Sequence, residues 1–139
     1  MKQVKSVILG YCFLSLLLSC NAQPGNNNNP DSETSDKVNV YYFHFTRRCV
    51  TCITVEEQSK LAVEQLYPVQ IKNGQVSFTS LNMDEESSKS TAERLHVSGQ
   101  ALLIVKGDNI LDLTSQGFLY ARSNPDKLKE SIKEAVDKL

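Results

Sequence analysis

Runs of apolar residues divide the chain into segments, and the first clear one is β-branched and aromatic. Residues 38–45, VNVYYFHF, have the composition of a buried strand. From Thr51 to Leu66 the apolar residues instead recur at helical spacing between charged neighbours, which predicts a helix. Pro68 and the sequence KNG at 72–74 are expected to end that helix and turn the chain.

The second half of the chain alternates in the same way. Residues 75–84, QVSFTSLNMD, predict a strand, and EESSKSTAERLHV after it predicts a short helix with acidic residues in its first turn. Residues 101–114 form two apolar runs around KGDN, which is typical of a hairpin. Asn124 can cap a final helix and Pro125 suits its first position. The apolar face of that helix comprises Leu128, Ile132, Ala135 and Val136.

The predicted order is strand, helix, strand, helix, hairpin, helix. A helical crossover makes the first two strands parallel, whereas a hairpin adds antiparallel strands. We therefore expect an α/β domain over residues 37–139, with a mixed four-stranded sheet and flanking helices in the order βαβαββα.

The N-terminal segment indicates export. Lys2 and Lys5 precede an apolar run over residues 7–18, which is too short to span a bilayer and predicts a signal peptide over residues 1–19. Its end, LLSC, resembles the lipobox of bacterial lipoproteins, so Cys20 is expected to carry lipid and anchor the mature chain to a membrane. The alternative is an ordinary cleaved signal that happens to end in cysteine.

Residues 20–36 are predicted to form a flexible tether behind the lipidated cysteine. Residues 21–36, NAQPGNNNNPDSETSD, contain no Val, Ile, Leu, Met or aromatic residue. Such a segment buries too little apolar surface to offset the entropy of ordering its backbone.

Charge and cysteine content limit the classes of function that the chain can have. The net charge is −1 and no basic stripe is present, so nucleic-acid binding is not expected. Cys12 leaves with the signal peptide and Cys20 is expected to carry lipid, which leaves Cys49 and Cys52 as the thiols of the mature domain. A four-thiolate zinc site within one chain is thereby excluded. A redox pair, a soft-metal or metalloid site shared between chains, and a structural disulfide remain open.

The two cysteines fall where the first strand passes into the first helix. Backbone N–H groups and the helix dipole favour a thiolate there, and cysteine pKa values at such places fall to about 3.5–7.5. Cys49 is expected to be the exposed, attacking thiol and Cys52 the resolving thiol. Arg47 and Arg48 would favour the Cys49 thiolate by charge, or belong to a solvated loop. Thr51 would donate its hydroxyl to a sulfur, or cap the helix.

Several motifs resemble known proteins. The stretch SLNMDEE, followed by AERLHVSGQALLIVKGD, resembles the second half of thioredoxins. YYFHFTRRCVTC, SGQALLIVKGD and GFLYARSNP resemble small bacterial thioredoxin-like lipoproteins labelled as nitrophenyl compound nitroreductase subunits, the ArsF family. The resemblance covers nearly all of the mature domain and implies a thioredoxin-like fold. Nothing in the sequence looks like a flavin site, so no cofactor is expected.

The chain departs from thioredoxins at two places. Gln100 or Ala101 stands where thioredoxins carry a cis-proline facing the cysteines, so that bond is expected to be trans. Phe43 stands where they carry a buried carboxylate, and it cannot shuttle protons. His44 should point to the opposite face of the strand. We expect His44 to be structural or partly exposed, the alternative being a proton acceptor or metal ligand for the pair.

These observations predict a membrane-tethered thiol-disulfide oxidoreductase of the bacterial cell envelope, facing the periplasm or the surface. Its partners would be exported thiol or disulfide proteins, a redox partner or small thiols, with Cys49 and Cys52 as the catalytic residues. Two alternatives remain, namely a soft-metal or metalloid binding module and a non-catalytic interaction domain whose disulfide is structural.

Overall fold

A computed structural model describes residues 36–139. The predicted signal peptide, Cys20 and nearly all of the predicted tether lie outside the described residues. The described chain forms a four-stranded mixed sheet with helices on both faces, in the strand order β2-β1-β3-β4. Its elements are β1 Val38–His44, α1 Val50–Leu66, α2 Pro68–Lys72, β2 Val76–Asn82, α3 Glu86–Arg94, β3 Ala101–Lys106, β4 Asn109–Asp112, α4 Thr114–Tyr120 and α5 Pro125–Asp137.

Strand β1 lies at the centre of the sheet. It pairs in parallel with β2 and antiparallel with β3, and β3 pairs antiparallel with β4. All seven residues of β1 are buried, because strands flank it on both sides and helices cover both of its faces. The α/β class, the mixed four-stranded sheet and the strand directions predicted from the sequence are confirmed, and the arrangement is compatible with a small thioredoxin-like fold.

The two faces of the sheet belong to different apolar clusters. Val40 and Tyr42 of β1 pack with Val55 of α1 and with Leu128 and Ile132 of α5. The alternate residues of β1 pack on the other face with α3 and β3, in a cluster that contains Tyr41, Phe43, Ala92, Leu95, Ala101, Leu103 and Val105. Strand alternation therefore assigns each residue of β1 either to the α1 face or to the α3 face.

Two short helices were missed by the sequence prediction. Pro68 begins α2 as well as ending α1, since proline is tolerated in the first turn of a helix. None of the residues of α2 is buried, so the segment has no apolar periodicity to detect. Helix α4 contains Gly117, and glycine has a low helix propensity, so the sequence does not predict a helix there.

Gly117 is explained by the close approach of α4 to its neighbours. A Cβ atom there would lie 3.1 Å from Cγ1 of Val55 and 3.3 Å from Cδ2 of Leu102. Both distances are shorter than ordinary van der Waals contact. Glycine therefore lets α4 pack closely against both Val55 of α1 and Leu102 of β3.

The predicted turns and caps are confirmed. Gly107 adopts a φ of 56° between β3 and β4, where a residue with a side chain would be strained. The Asn124 side chain accepts a hydrogen bond from the Lys127 backbone N–H at the start of α5. Within residues 36–139, no helix has the length and apolar character needed to span a bilayer.

Candidate functional site at the start of helix α1

The thiols of Cys49 and Cys52 lie next to each other where α1 begins. Cys49 is exposed, Cys52 is 4% exposed, and both are free thiols. Their Sγ atoms are 2.6 Å apart. A disulfide, with an S–S distance of about 2.05 Å, would need only a small movement of the two side chains.

Cys49 is itself the N-cap of α1. Its backbone is extended, with φ −80° and ψ 167°, and its Sγ accepts a hydrogen bond from the Cys52 backbone N–H at 3.4 Å. The pKa of Cys49 is lowered, first by the hydrogen bond with the Cys52 thiol and then by the backbone N–H of Cys52, with a smaller contribution from that of Thr51. Thr51 thus contributes a backbone donor, and the capping role considered for it is filled by the Cys49 sulfur.

Arg48 is bound to a carboxylate. Its Nη1 donates to Oε2 of Glu56, eight residues further along the chain. Both side chains are about three-quarters buried, with 24% of Arg48 and 22% of Glu56 exposed. Arg47, by contrast, is exposed. From the sequence, Arg48 is predicted only as a charged neighbour of Cys49, and no sequence pattern points to Glu56.

Tyr42 is a further site residue that the sequence analysis missed. Its side chain is fully buried, and its hydroxyl donates a 2.8 Å hydrogen bond to the backbone carbonyl of Cys52. Burial raises the pKa of Tyr42 far above its usual value, the charge of Cys52 raises it further, and Arg48 opposes the shift. The phenol therefore stays protonated and remains a donor. An aromatic residue inside an apolar strand gives no local signal for such a role.

Phe43 and His44 lie on opposite faces of β1. Phe43 lies in the cluster on the α3 face, and so on the opposite face of the sheet from α1. His44 shares the α1 face with Tyr42, and the two rings are stacked with centroids 6.0 Å apart. Phe43 and His44 therefore point to opposite faces of the sheet, as strand alternation predicted.

His44 is buried, and its Nδ1 lies 3.0 Å from the backbone carbonyl of Phe45. A carbonyl only accepts hydrogen bonds, so Nδ1 carries the proton in this contact. That ring nitrogen is therefore already used in holding the chain as it leaves β1. The arrangement agrees with the structural role expected for His44.

Asn82 and Asp84 hold the loop that leads to Cys49. Asp84 Oδ2 accepts the Thr46 backbone N–H at 2.8 Å, and Asn82 Nδ2 donates to the Thr46 hydroxyl at 2.9 Å. The hydrogen bond from Thr46 lowers the pKa of Asp84, and the charge of His44 lowers it further. These contacts join residues 36 to 38 positions apart, and nothing in the sequence indicated them.

Gln100 and Ala101 lie at the start of β3, and their peptide bond is trans, as are the others in residues 36–139. Ala101 pairs with Phe43 and packs in the same cluster on the α3 face. Both residues line an open cleft of about 520 Å³ between the end of α3 and β4. Hydrogen bonds near the start of α1 join Cys49 to Cys52, Tyr42 to Cys52 and Arg48 to Glu56.

A protein metal site usually needs three or four ligands. Within residues 36–139 no group of three or more His, Cys, Asp or Glu side chains is arranged to hold a metal ion.

Comparison with known proteins adds little to this description. No protein-family model and no curated protein matches the chain. A solved structure described as "Structure of a malarial protein" is similar over 54% of this chain and 75% of its own, with a TM-score of 0.40 and 16% sequence identity. A likeness of that size carries no information about function.

Proposed function

We propose that the protein is a thiol-disulfide oxidoreductase that is tethered to a bacterial membrane and acts on exported proteins or small thiols. The observation that carries the proposal is the pairing of an exposed Cys49, whose pKa is lowered, with a buried Cys52 whose sulfur is 2.6 Å away. An attacking thiol must be accessible and ionised, and a resolving thiol must lie close behind it.

The proposed reaction has two exchange steps. The Cys49 thiolate attacks one sulfur of a substrate disulfide, which forms a mixed disulfide and releases the other substrate sulfur as a thiolate. Cys52 then attacks the Cys49 sulfur, which closes the Cys49–Cys52 disulfide and releases the second substrate thiolate. Two electrons pass from the cysteine pair to the substrate, and the reverse sequence oxidises a substrate dithiol. The exchange requires no further cofactor.

Alkylation kinetics test the roles of the two thiols. In the reduced protein, modification of Cys49 by iodoacetamide should follow a pKa below the free-cysteine value of about 8.5, while Cys52 should be protected. Cys49→Ser should abolish exchange with glutathione disulfide. Cys52→Ser should form mixed disulfides and fail to resolve them. If both single variants react alike with electrophiles, at the free-cysteine pKa and without a trapped adduct, the oxidoreductase proposal fails.

The membrane tether is tested separately, because Cys20 lies outside the described residues. Labelled palmitate should enter the wild-type chain in a bacterial host and be absent from Cys20→Ala, with Cys12→Ala as the matched control that keeps its label. Two acyl chains suffice for stable membrane association, so the wild-type chain should also fractionate with membranes. Equal labelling of Cys20→Ala and wild type would contradict the lipid anchor.

A further inference from the structure

The partly buried pair of Arg48 and Glu56 includes a carboxylate one helical turn from the resolving thiol. Glu56 follows Cys52 by four residues on α1, so the two side chains share a face of the helix with Cβ atoms about 5–6 Å apart. The Tyr42 hydroxyl bonds to the Cys52 backbone, and the charges of Cys52, Arg48 and Glu56 all act on that hydroxyl. Glu56 is thus a carboxylate held next to Cys52 in a largely buried setting.

We propose that Glu56 accepts the proton of Cys52 in the resolving step and that Arg48 holds the Glu56 carboxylate in position. This inference rests on the proposed function. Its physical basis is that only the thiolate is nucleophilic, whereas Cys52 is 4% exposed and cannot pass its proton directly to bulk water. Cys49 has no such need, because it is exposed and accepts hydrogen bonds from backbone N–H groups.

Other groups near the start of α1 are less suited to accept this proton. Phe43 is apolar and lies on the α3 face. The hydrogen bond of His44 goes from Nδ1 to the Phe45 carbonyl and not to Cys52, whereas Glu56 lies one turn from Cys52 on the same helix. Tyr42 remains a protonated donor to the Cys52 backbone. Glu57 follows Glu56 directly and is exposed, since successive helix residues point about 100° apart.

Further titratable groups lie on the elements packed against α1. Strand β2 carries none, α2 carries Lys72 and α4 carries Tyr120. On α1 itself, Lys60 is paired with Glu64. Helix α5 presents buried apolar residues to the core, and it forms two ion pairs of its own. Its titratable residues are Asp126, Lys127, Lys129, Glu130, Lys133, Glu134 and Asp137, with Lys127 paired to Glu130 and Lys133 to Asp137.

The proposed step balances in protons and electrons. The Cys52 thiol gives its proton to the Glu56 carboxylate, and the resulting thiolate attacks the Cys49 sulfur of the mixed disulfide. The bond between Cys49 and the substrate sulfur breaks, and the substrate leaves as a thiolate with the electron pair. Glu56 then returns its proton to the leaving thiolate or to water. Arg48 is a positioning residue, because it acts through Glu56.

Stopped-flow reaction with 5,5′-dithiobis(2-nitrobenzoate) separates the two thiols in the reduced full-length chain with Cys12 and Cys20 replaced by serine, which leaves Cys49 and Cys52 as its only cysteines. The first equivalent of thionitrobenzoate reports attack by Cys49, at a rate proportional to reagent concentration. The second equivalent reports attack by Cys52 on the Cys49 adduct, at a rate independent of reagent concentration. Raising the reagent concentration therefore resolves the two phases.

Glu56→Gln should slow the second phase by about 10²-fold at pH 7, within the usual range for loss of a general base, and leave the first phase unchanged. The deficit should narrow as the pH rises, because a higher hydroxide concentration favours the thiolate in wild type and variant alike. Glu57→Gln, the exposed neighbour on α1, is the matched control and should leave both phases unchanged.

Arg48→Gln should slow the second phase and spare the first. Slowing of the first phase alone would instead assign Arg48 to the Cys49 thiolate and overturn its positioning role.

An unchanged second phase in Glu56→Gln would overturn the assignment of Glu56. So would a deficit that persists undiminished at high pH, since that result indicates altered packing and not a lost base. Failure of the proposed function looks different, because the chain with only Cys12 and Cys20 replaced would then release fewer than two equivalents and form no Cys49–Cys52 disulfide.

Discussion

At the scale of single residues, the chemistry depends on how differently two identical thiols are placed. Cys49 is exposed and accepts hydrogen bonds from backbone N–H groups, whereas Cys52 is buried one turn into α1, beneath the Tyr42 hydroxyl. The spacing of the cysteines in the sequence predicted this division. Tyr42 and Glu56 carried no comparable signal, because one resembles a core aromatic residue and the other a surface charge of an amphipathic helix.

Removal of the Tyr42 hydroxyl tests its role as a buried donor. Tyr42→Phe keeps the ring in the core and loses the hydrogen bond to the Cys52 carbonyl, so the free energy of unfolding should fall by about 0.5–1.5 kcal/mol. Tyr120→Phe, at a half-buried tyrosine of α4, should change it less. Urea unfolding of both reduced variants measures the difference. Equal effects of the two substitutions would show that the Tyr42 bond contributes nothing specific.

At the scale of elements, α1 is placed by contacts that are remote in sequence. The loop before α1 is held by Asn82 and Asp84, which lie at and just after the end of β2. The middle of α1 packs against α4 at Gly117. The strands, the hairpin and α5 were predicted because each carries its own pattern of apolar residues and turn residues. Helices α2 and α4 were not predicted. Helix α2 has no buried residue, and α4 contains Gly117, which is explained only by its close contacts with Val55 and Leu102.

The close approach of α4 predicts the effect of a single methyl group. Gly117→Ala should destabilise the fold by about 1–3 kcal/mol through overpacking against Val55 and Leu102, less the gain of up to about 1 kcal/mol that alanine brings to a helix. Gly99→Ala is the matched control, because a Cβ atom there meets nothing within 4 Å. Thermal unfolding should show a clear loss for the first variant only. A stability equal to wild type for Gly117→Ala would mean that α4 moves away at little cost.

At the scale of the whole molecule, folding and thiol ionisation are linked. The fold lowers the pKa of Cys49, so the folded protein binds its proton less tightly than the unfolded chain does. A group with a depressed folded pKa contributes stability that is fully present above its unfolded pKa and is lost as pH falls through the folded pKa. The reduced protein should therefore gain stability from Cys49 as the pH rises toward about 8.5.

This linkage is measured by comparing reduced wild type with Cys49→Ser. The free energy of unfolding of wild type minus that of the variant should increase from pH 5 to about pH 8.5 and then level off. The serine variant provides the control, because it keeps the other titrating groups and has no thiol at position 49. A difference that is constant with pH, or that falls as pH rises, would contradict a thiolate stabilised by the fold.

Elements that depend on neighbouring residues could be predicted from the sequence. These are the central strand, the cysteine pair at its junction with α1, the two-residue turn at Gly107 and the capped final helix. Local patterns suffice there, because strand alternation, helical periodicity and turn residues act over a few positions.

Only the tertiary structure decided which face of β1 meets the cysteine helix. The sequence predicted only that Phe43 and His44 face opposite ways, and the fold places Tyr42 and His44 on the α1 face and Phe43 on the α3 face. The pairing of Arg48 with Glu56 and the hold of Asp84 on Thr46 were likewise decided by tertiary structure. Contacts of this kind depend on how loops bring remote segments together in space. That is the reason the sequence located the thiols but not the groups that tune them.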